Sequence, residues 1–156
     1  MRILGIDPGY GKLGWSIIET DQRLIDYGTI ETTPNGPLDE RLLDIHKFLC
    51  VIINKYKPES AALEKLFFTK NITTGIDVAK TIGAVVLTLK LHNINYHEYT
   101  PSQVKQAVTG YGRAGKDQMQ NMIKTIFKLK DLPHSDDAAD ACAIALCHSL
   151  RKTYIM

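Results

Sequence analysis

The chain has 156 residues and a mass of 17.5 kDa; 44% of its residues are hydrophobic and 23% charged, and its 19 Lys and Arg exceed its 17 Asp and Glu by only two. A chain of this size buries about 70% of its unfolded surface, and the composition excludes disordered and collagen-like classes. It predicts one globular domain over residues 1–156, soluble and cytoplasmic: no apolar run approaches the roughly 20 residues of a membrane span, the amino terminus turns to Gly and Asp too early for a signal peptide, and Cys50, Cys142 and Cys147 are an odd set without CxxC spacing.

Taken in chain order, residues 2–7 form a short apolar run ending in Asp-Pro-Gly, followed by 13–19 and 24–32, both rich in β-branched and aromatic residues. This predicts a three-strand meander. Pro37 opens a helical pattern that stops before Pro58, Ser60 to Glu64 reads as a buried strand, Asn71 to His92 as a long helix, and Ile94 to Tyr99 as a fifth strand. Thr100 before Pro101 is a helix start signal. The glycine-rich stretch from Gly110 to Gly115 interrupts that helical region before an amphipathic run through Met119 and Ile123, and a last helix runs from Ser135 or Asp136 to about Leu150. The order βββαβαβα with extra helices predicts an α/β fold, a mixed five-stranded sheet flanked by helices.

Gly9, Gly11 and Gly14 spell GxGxxG after the first strand. A dinucleotide-binding fingerprint requires a helix next, with its N-terminus on the pyrophosphate, whereas Trp15 to Glu19 alternates as a strand. The glycines therefore read as a tight hairpin. The same arrangement is similar to the first phosphate loop of the actin and Hsp70 ATPases, which need over twice this length.

Asp7 ends the first strand, Glu64 ends the fourth, and adjacent strand ends in an α/β sheet share one crevice. On the last helix, Asp137 and Asp140 share a face at i and i+3, but so do Asp136 and Asp140 at i and i+4. Singly, these acids have ordinary explanations as a turn former, a solvated strand end and helix N-terminal charges. Together they do not, because carboxylates about 4 to 5 Å apart repel by roughly 3 to 4 kcal/mol per pair at an effective dielectric of 20. Such a cluster persists only if protonated or metal-bound, and oxygen-only ligands suit Mg²⁺ or Mn²⁺. Two such ions bridged by carboxylates are the machinery for hydrolysing a phosphodiester.

The segments IDPG at 6–9, LEKLFFTKN at 63–71, VKQAVTGYG at 104–112 and DAADACAIA at 137–145 resemble the RuvC Holliday junction resolvases, in the right order along nearly the whole chain. The resemblance implies an RNase H-like fold, a homodimer, and Mg²⁺-dependent nicking of opposed strands of a four-way DNA junction in recombination and repair. It also implies partnership with the RuvA and RuvB branch-migration proteins. It identifies Asp7, Glu64, Asp137 and Asp140 as the catalytic, metal-binding acids, with two ions per site, and leaves Asp136 as an N-cap. By the same resemblance, Phe67 is the residue that stacks on an unpaired base, and Lys105 and Lys116 contact DNA phosphate near the cut. Phe68, Lys70 and Arg113 are further candidates for the DNA surface.

His46, His92, His97 and His148 read as structural, and His134, just before the acidic helix, is the one candidate proton shuttle. On the long helix an apolar arc of roughly 200° exceeds what one core face requires. Gly75, Ala79 and Gly83, spaced by four, form a low ridge which, with Ile82 and Val86, predicts a dimer interface. The alternatives are a YqgF-like RNase H relative acting on RNA and a junction-binding protein without catalysis.

Overall fold

The computed structural model describes residues 1–9, 11–66 and 72–153. Strands β1 (Arg2–Pro8), β2 (Lys12–Glu19) and β3 (Leu24–Glu31) form the predicted meander. Helix α1 (Leu38–Tyr56) leads to β4 (Ser60–Glu64), α2 (Ile72–Leu91) to β5 (Asn95–Tyr99), and α3 (Pro101–Thr109), α4 (Lys116–Ile126) and α5 (Asp136–Thr153) complete the fold. The strand order is β3-β2-β1-β4-β5; β2 is antiparallel to β1 and β3, whereas β4 runs parallel to β1 and β5 parallel to β4.

Alternation along each strand sorts the side chains between two layers. Leu4 and Ile6 of β1, Leu13 and Ile17 of β2 and Ala61 and Leu63 of β4 pack with Ile45, Leu49, Val85 and Leu89 of α1 and α2. Ile3, Ile18 and Ala62 point the other way, toward Val104 of α3, Ile123 of α4 and the alanines and cysteines of α5. By the same alternation Gly5, Asp7, Ser60 and Glu64 lie on the α5 face.

Local signals set the helix ends. Thr100 and Gln103 form a full capping box, with the Thr100 hydroxyl accepting from the Gln103 amide at 3.1 Å and the Gln103 side chain accepting from the Thr100 amide at 3.0 Å. Gly110 terminates α3 in the left-handed region at φ 77°. At the hairpin, the Gly9 amide donates to the Lys12 carbonyl at 3.0 Å and Gly11 has φ 78°, so these glycines serve a turn between strands.

The backbone of α5 presses on the sheet at two points. A Cβ placed on Gly14 would lie 1.9 Å from the Asp137 carbonyl oxygen, and one on Gly5 would lie 2.3 Å from that of Ala141. Between them the Ser16 hydroxyl donates to the Ala141 carbonyl at 2.9 Å. Burial pushes the Cys142 thiol up to about 12 and the Cys147 thiol up to about 11, which fits the expectation that these cysteines are inert core residues.

Two expectations need correction. First, α2 does have the length and composition of a membrane span, with a mean hydropathy of 1.5 over 18 residues. Its buried side chains are Val78, Thr81, Val85, Thr88 and Leu89, while Ile72, Ile76, Gly83, Leu87 and Leu91 are exposed. Second, Ile82 and Val86 are half-buried against the core formed with α1, so the exposed apolar stripe runs through Ile76, Gly83 and Leu87, with Gly75 and Ala79 half-buried at its margin.

Replacing Gly14 by Ala forces α5 away from β2 and is expected to destabilise the protein by roughly 2 to 3 kcal/mol, read as a lowered midpoint of urea unfolding. An unchanged midpoint would show that α5 does not rest on Gly14.

Candidate active site

The four acids reach one place by two independent routes. Parallel pairing of Ile6 with Leu63 sets Asp7 beside Glu64 at the carboxyl ends of β1 and β4. Antiparallel pairing sets Asp7 opposite Gly14, the residue on which the Asp137 carbonyl rests, so the first turns of α5 lie over the same strand ends. Asp137 and Asp140, three residues apart, then share the helix face that looks toward Asp7.

Electrostatics registers the convergence. Asp7, only 9% exposed, has its carboxyl pushed up to about 8, first by burial and then by repulsion from Glu64, Asp140 and Asp137. Glu64 is raised by burial and then by Asp140, with Lys105 opposing. Asp140 is raised by burial and then by Asp136 and Asp137, with Lys116 and Lys105 opposing. Among the described residues no three His, Cys, Asp or Glu side chains close into a ready cage; the acids line an open crevice. The donor set nonetheless suits a hard dication, being oxygen-only, mutually repulsive and partly buried.

A cleft of about 340 Å³ opens from this crevice, lined by Glu64 and Asp140 together with Lys105, Lys116 and Gln120. Lys105 projects from α3 and Lys116 begins α4, so the glycine-rich loop joining these helices sets how the two lysines come together at the cleft. The Ser102 hydroxyl would lie 2.8 Å from a Cβ on Gly112, which shows how closely that loop folds back on α3. Arg113 is exposed on the loop and is not among the cleft-lining residues. Phe67, Phe68 and Lys70 lie outside the described residues.

Asp136 departs from the predicted N-cap. It is the first residue of α5; the Ala139 amide donates to the Ser135 carbonyl at 3.1 Å, and the Asp136 carboxylate accepts from the Lys116 ammonium and, at 3.3 Å, from the Gln120 amide. That contact joins the starts of α4 and α5 and raises the Lys116 pKa. Gln120 went unnoticed in the sequence; its signal is its place four residues after Lys116, on the same face of α4. His134 is exposed just before α5 and, like Asp7 and Asp137, is not among the residues that line this cleft.

Asp7 also has a consequence for folding. Its folded pKa lies above the unfolded 3.8, so the stabilisation from burying a neutral carboxyl is complete below about pH 4 and is lost as pH rises toward 8. In a chelator, Asp7→Asn is expected to be more stable than wild type at pH 8 by roughly 2 to 4 kcal/mol, and nearly equal to it at pH 4, in thermal melts. Parallel pH profiles of the two proteins would remove the buried charge from Asp7.

The family model for crossover junction endodeoxyribonuclease RuvC matches residues 3–148. RuvC of Petrotoga mobilis is 50% identical over 151 residues, covering 95% of this chain and 93% of its own, and RuvC of Caldicellulosiruptor saccharolyticus is 45% identical over 160, covering 100% and 96%. The structure of Thermus thermophilus RuvC in complex with a Holliday junction substrate superposes with a TM-score of 0.92 at 32% identity, covering 99% of this chain and 96% of that one. The mixed sheet with its flanking helices is thus the RNase H-like fold of those proteins, and the chain belongs to the RuvC family of crossover junction endodeoxyribonucleases.

Proposed function

We propose that this protein is an endonuclease that resolves four-way DNA junctions in recombination and repair, with Asp7, Glu64, Asp137 and Asp140 as its catalytic and metal-binding residues. The observation that carries the reading is the convergence of four carboxylates in one crevice, from which a cleft also lined by Lys105 and Lys116 opens. Burial first and mutual repulsion second raise Asp7, Glu64 and Asp140, and a pair of divalent cations, Mg²⁺ or Mn²⁺, is the partner that would offset both. When bound, the two ions supply an acidified water and neutralise charge at the leaving 3′ oxygen, giving 5′ phosphate and 3′ hydroxyl ends.

The chain's own residues do the rest. The four carboxylates would hold the ions at the strand ends, and Lys105 and Lys116, which line the same cleft, are placed to meet charge that grows on the phosphate during hydrolysis. Lys116 is held at the cleft by Asp136 and is free to exchange that carboxylate for a phosphate. Such contacts fix the register of the DNA without reading its sequence. Phe67 is assigned to stacking on an unpaired base, with Phe68, Lys70 and Arg113 as further DNA contacts; RuvA and RuvB are the proposed partners, and the cytoplasm the proposed compartment.

The apolar stripe of α2 is assigned to a homodimer interface. The α2 layer lies on the opposite face of the sheet from α5, so pairing through α2 leaves each cleft uncovered and sets two of them symmetrically on a two-fold junction. A Cβ at Gly83 meets nothing within 4 Å in one chain, so Gly83→Leu should leave folding intact and raise the dimer dissociation constant about tenfold or more in sedimentation equilibrium; unaltered dimerisation would take Gly83 out of the interface.

A synthetic immobile four-way junction, incubated with and without Mg²⁺, tests the activity. Paired nicks that require Mg²⁺ are expected, and Asp7→Asn should abolish them while gel-shift binding persists. Cleavage by that variant in saturating Mg²⁺ would refute the acid assignment, and cutting of structured RNA in preference to the junction would favour an RNA-processing relative.

A further inference from the structure

A second buried polar cluster lies eight residues along α5 from Asp140, about 12 Å of helix. His148 is 1% exposed. Its Nδ1 is 2.7 Å from the Tyr99 hydroxyl and its Nε2 is 3.1 Å from the Ser60 hydroxyl, and its ring sits 5.0 Å from that of His97, centroid to centroid. Ser60 and Tyr99 are themselves buried. A neutral imidazole donates through one nitrogen and accepts at the other, so both ring nitrogens are used at once, one toward β4 and one toward β5.

These two strands are not the ones α5 touches at its other end. Gly14 and Gly5 set the start of α5 against β2 and β1, whereas His148 fastens its later turns to β4 and β5. Ser60 begins the strand that Glu64 ends, and Tyr99 is the register partner of Glu64. Most of the rest of the α5 interface is small, Ala138, Ala139, Ala141, Cys142, Ala143 and Ala145, with Ile144 and Leu146 as its larger members. A face built mainly of similar small residues specifies register less sharply than one of varied shapes. A slip of one residue moves a helix by about 1.5 Å and turns it by about 100°. Asp137 and Asp140 would then leave the crevice; the contacts of Asp137 and Ala141 with Gly14 and Gly5 resist such a slip at the first turns, and His148 resists it at the later ones. The imidazole fork would not survive, because both bonds exist in a single register and rotation.

We infer that His148 is a positioning residue, which fixes the register and rotation of α5 through Ser60 and Tyr99 so that Asp137 and Asp140 face Asp7 and Glu64. The inference rests on the four-acid reading above. It is tested in the full chain with Ser60→Ala, Tyr99→Phe and His148→Leu combined, which removes every polar group of the fork together and so leaves no buried donor or acceptor of the fork unpaired. Three measurements are made: thermal unfolding, Mn²⁺ binding without DNA by electron paramagnetic resonance, and junction cleavage against junction affinity in chelator. The expected result is cooperative unfolding, a Mn²⁺ dissociation constant raised about tenfold or more, and a kcat lowered to a similar degree with junction affinity unchanged.

Cooperative unfolding with wild-type Mn²⁺ affinity and kcat would overturn the inference. Should the triple variant not fold, Ser60→Ala and Tyr99→Phe singly decide it in the same terms: a loss of at least about threefold in Mn²⁺ affinity upholds it and no loss overturns it. Failure of the wild type to bind Mn²⁺ at all would overturn the four-acid reading itself, and is told apart by the wild-type titration alone.

Discussion

The structure depends on how closely the α5 backbone approaches β1 and β2. Two strand positions without side chains, Gly5 and Gly14, receive the carbonyls of Ala141 and Asp137 at distances that any Cβ would forbid. Everything that makes α5 unusual follows from that approach. Where it crosses Gly5 and Gly14 its inner face is alanine, Ala138, Ala141 and Ala145, because nothing larger fits there. Its thiols are pushed far from ionisation because they are sealed in. Its first turns reach the carboxyl ends of the parallel strands, where a helix at ordinary separation would hold its acids too far from Asp7 to repel it. The site is thus a product of backbone packing before it is a product of side-chain chemistry.

That packing brings negative charge together at a cost to the folded chain, and the cost is what makes the arrangement useful. A carboxyl raised to about 8 keeps its proton at neutral pH while the crevice holds no other cation, and a divalent cation among the acids would displace that proton and hold the carboxylate ionised. The lysines are placed to temper the repulsion without cancelling it. Lys105 lowers Glu64 and Asp140 from one wall, while Lys116 is partly taken up by Asp136. An ammonium seated directly between Asp7 and Glu64 would neutralise the crevice and compete with a metal; one held across the cleft leaves the acids to the metal and remains available to a phosphate. The near balance of charge has the same origin. Setting the four acids aside leaves 13 acids against 19 bases, an excess suited to a polyanion that the total conceals.

Most of the scaffold was legible in the sequence because its signals are local. Thr100-Pro101, Gly110 and the turn at Gly9 to Gly11 act through backbone geometry within a few residues, and the strands and first three helices fall within one or two residues of the predicted ends, whereas α4 stops at Ile126, well before Pro133, and α5 runs three residues past Leu150. Asp7 and Glu64 could be paired because strand ends in such a sheet share a crevice. The choice between Asp136 and Asp137 was not legible from spacing, since both share a face with Asp140; what favours Asp137 is its repulsion of Asp7 and its carbonyl resting on Gly14, a contact across 123 residues of chain. Asp136 was misread as a cap for the same reason, because Lys116 and Gln120 reach it from another helix. His148 looked merely structural, as a buried histidine without an acidic neighbour should, and its partners on β4 and β5 are visible only once the sheet is assembled. Ile82 and Val86 were assigned outward because a helical wheel gives the width of an apolar arc but not which edge of it meets the core.

That last ambiguity bears on how α2 should be understood. A helix apolar enough to cross a membrane, yet with Val78, Val85 and Leu89 packed beneath it, has one face accounted for and one that is not. The exposed stripe is interrupted by Lys80 and Lys90, and charged residues recurring along it suit a surface that meets another protein with a polar rim better than one that meets lipid all round. Gly83, with open space above it, lies in the middle of that stripe, where a second backbone could come near. Glycine thus acts on both faces of the sheet by the same physics: within the chain at Gly5 and Gly14 it lets α5 close down to assemble one site, and between chains at Gly83 it would let two α2 helices close down to pair two sites. A junction with two strands to cut needs both.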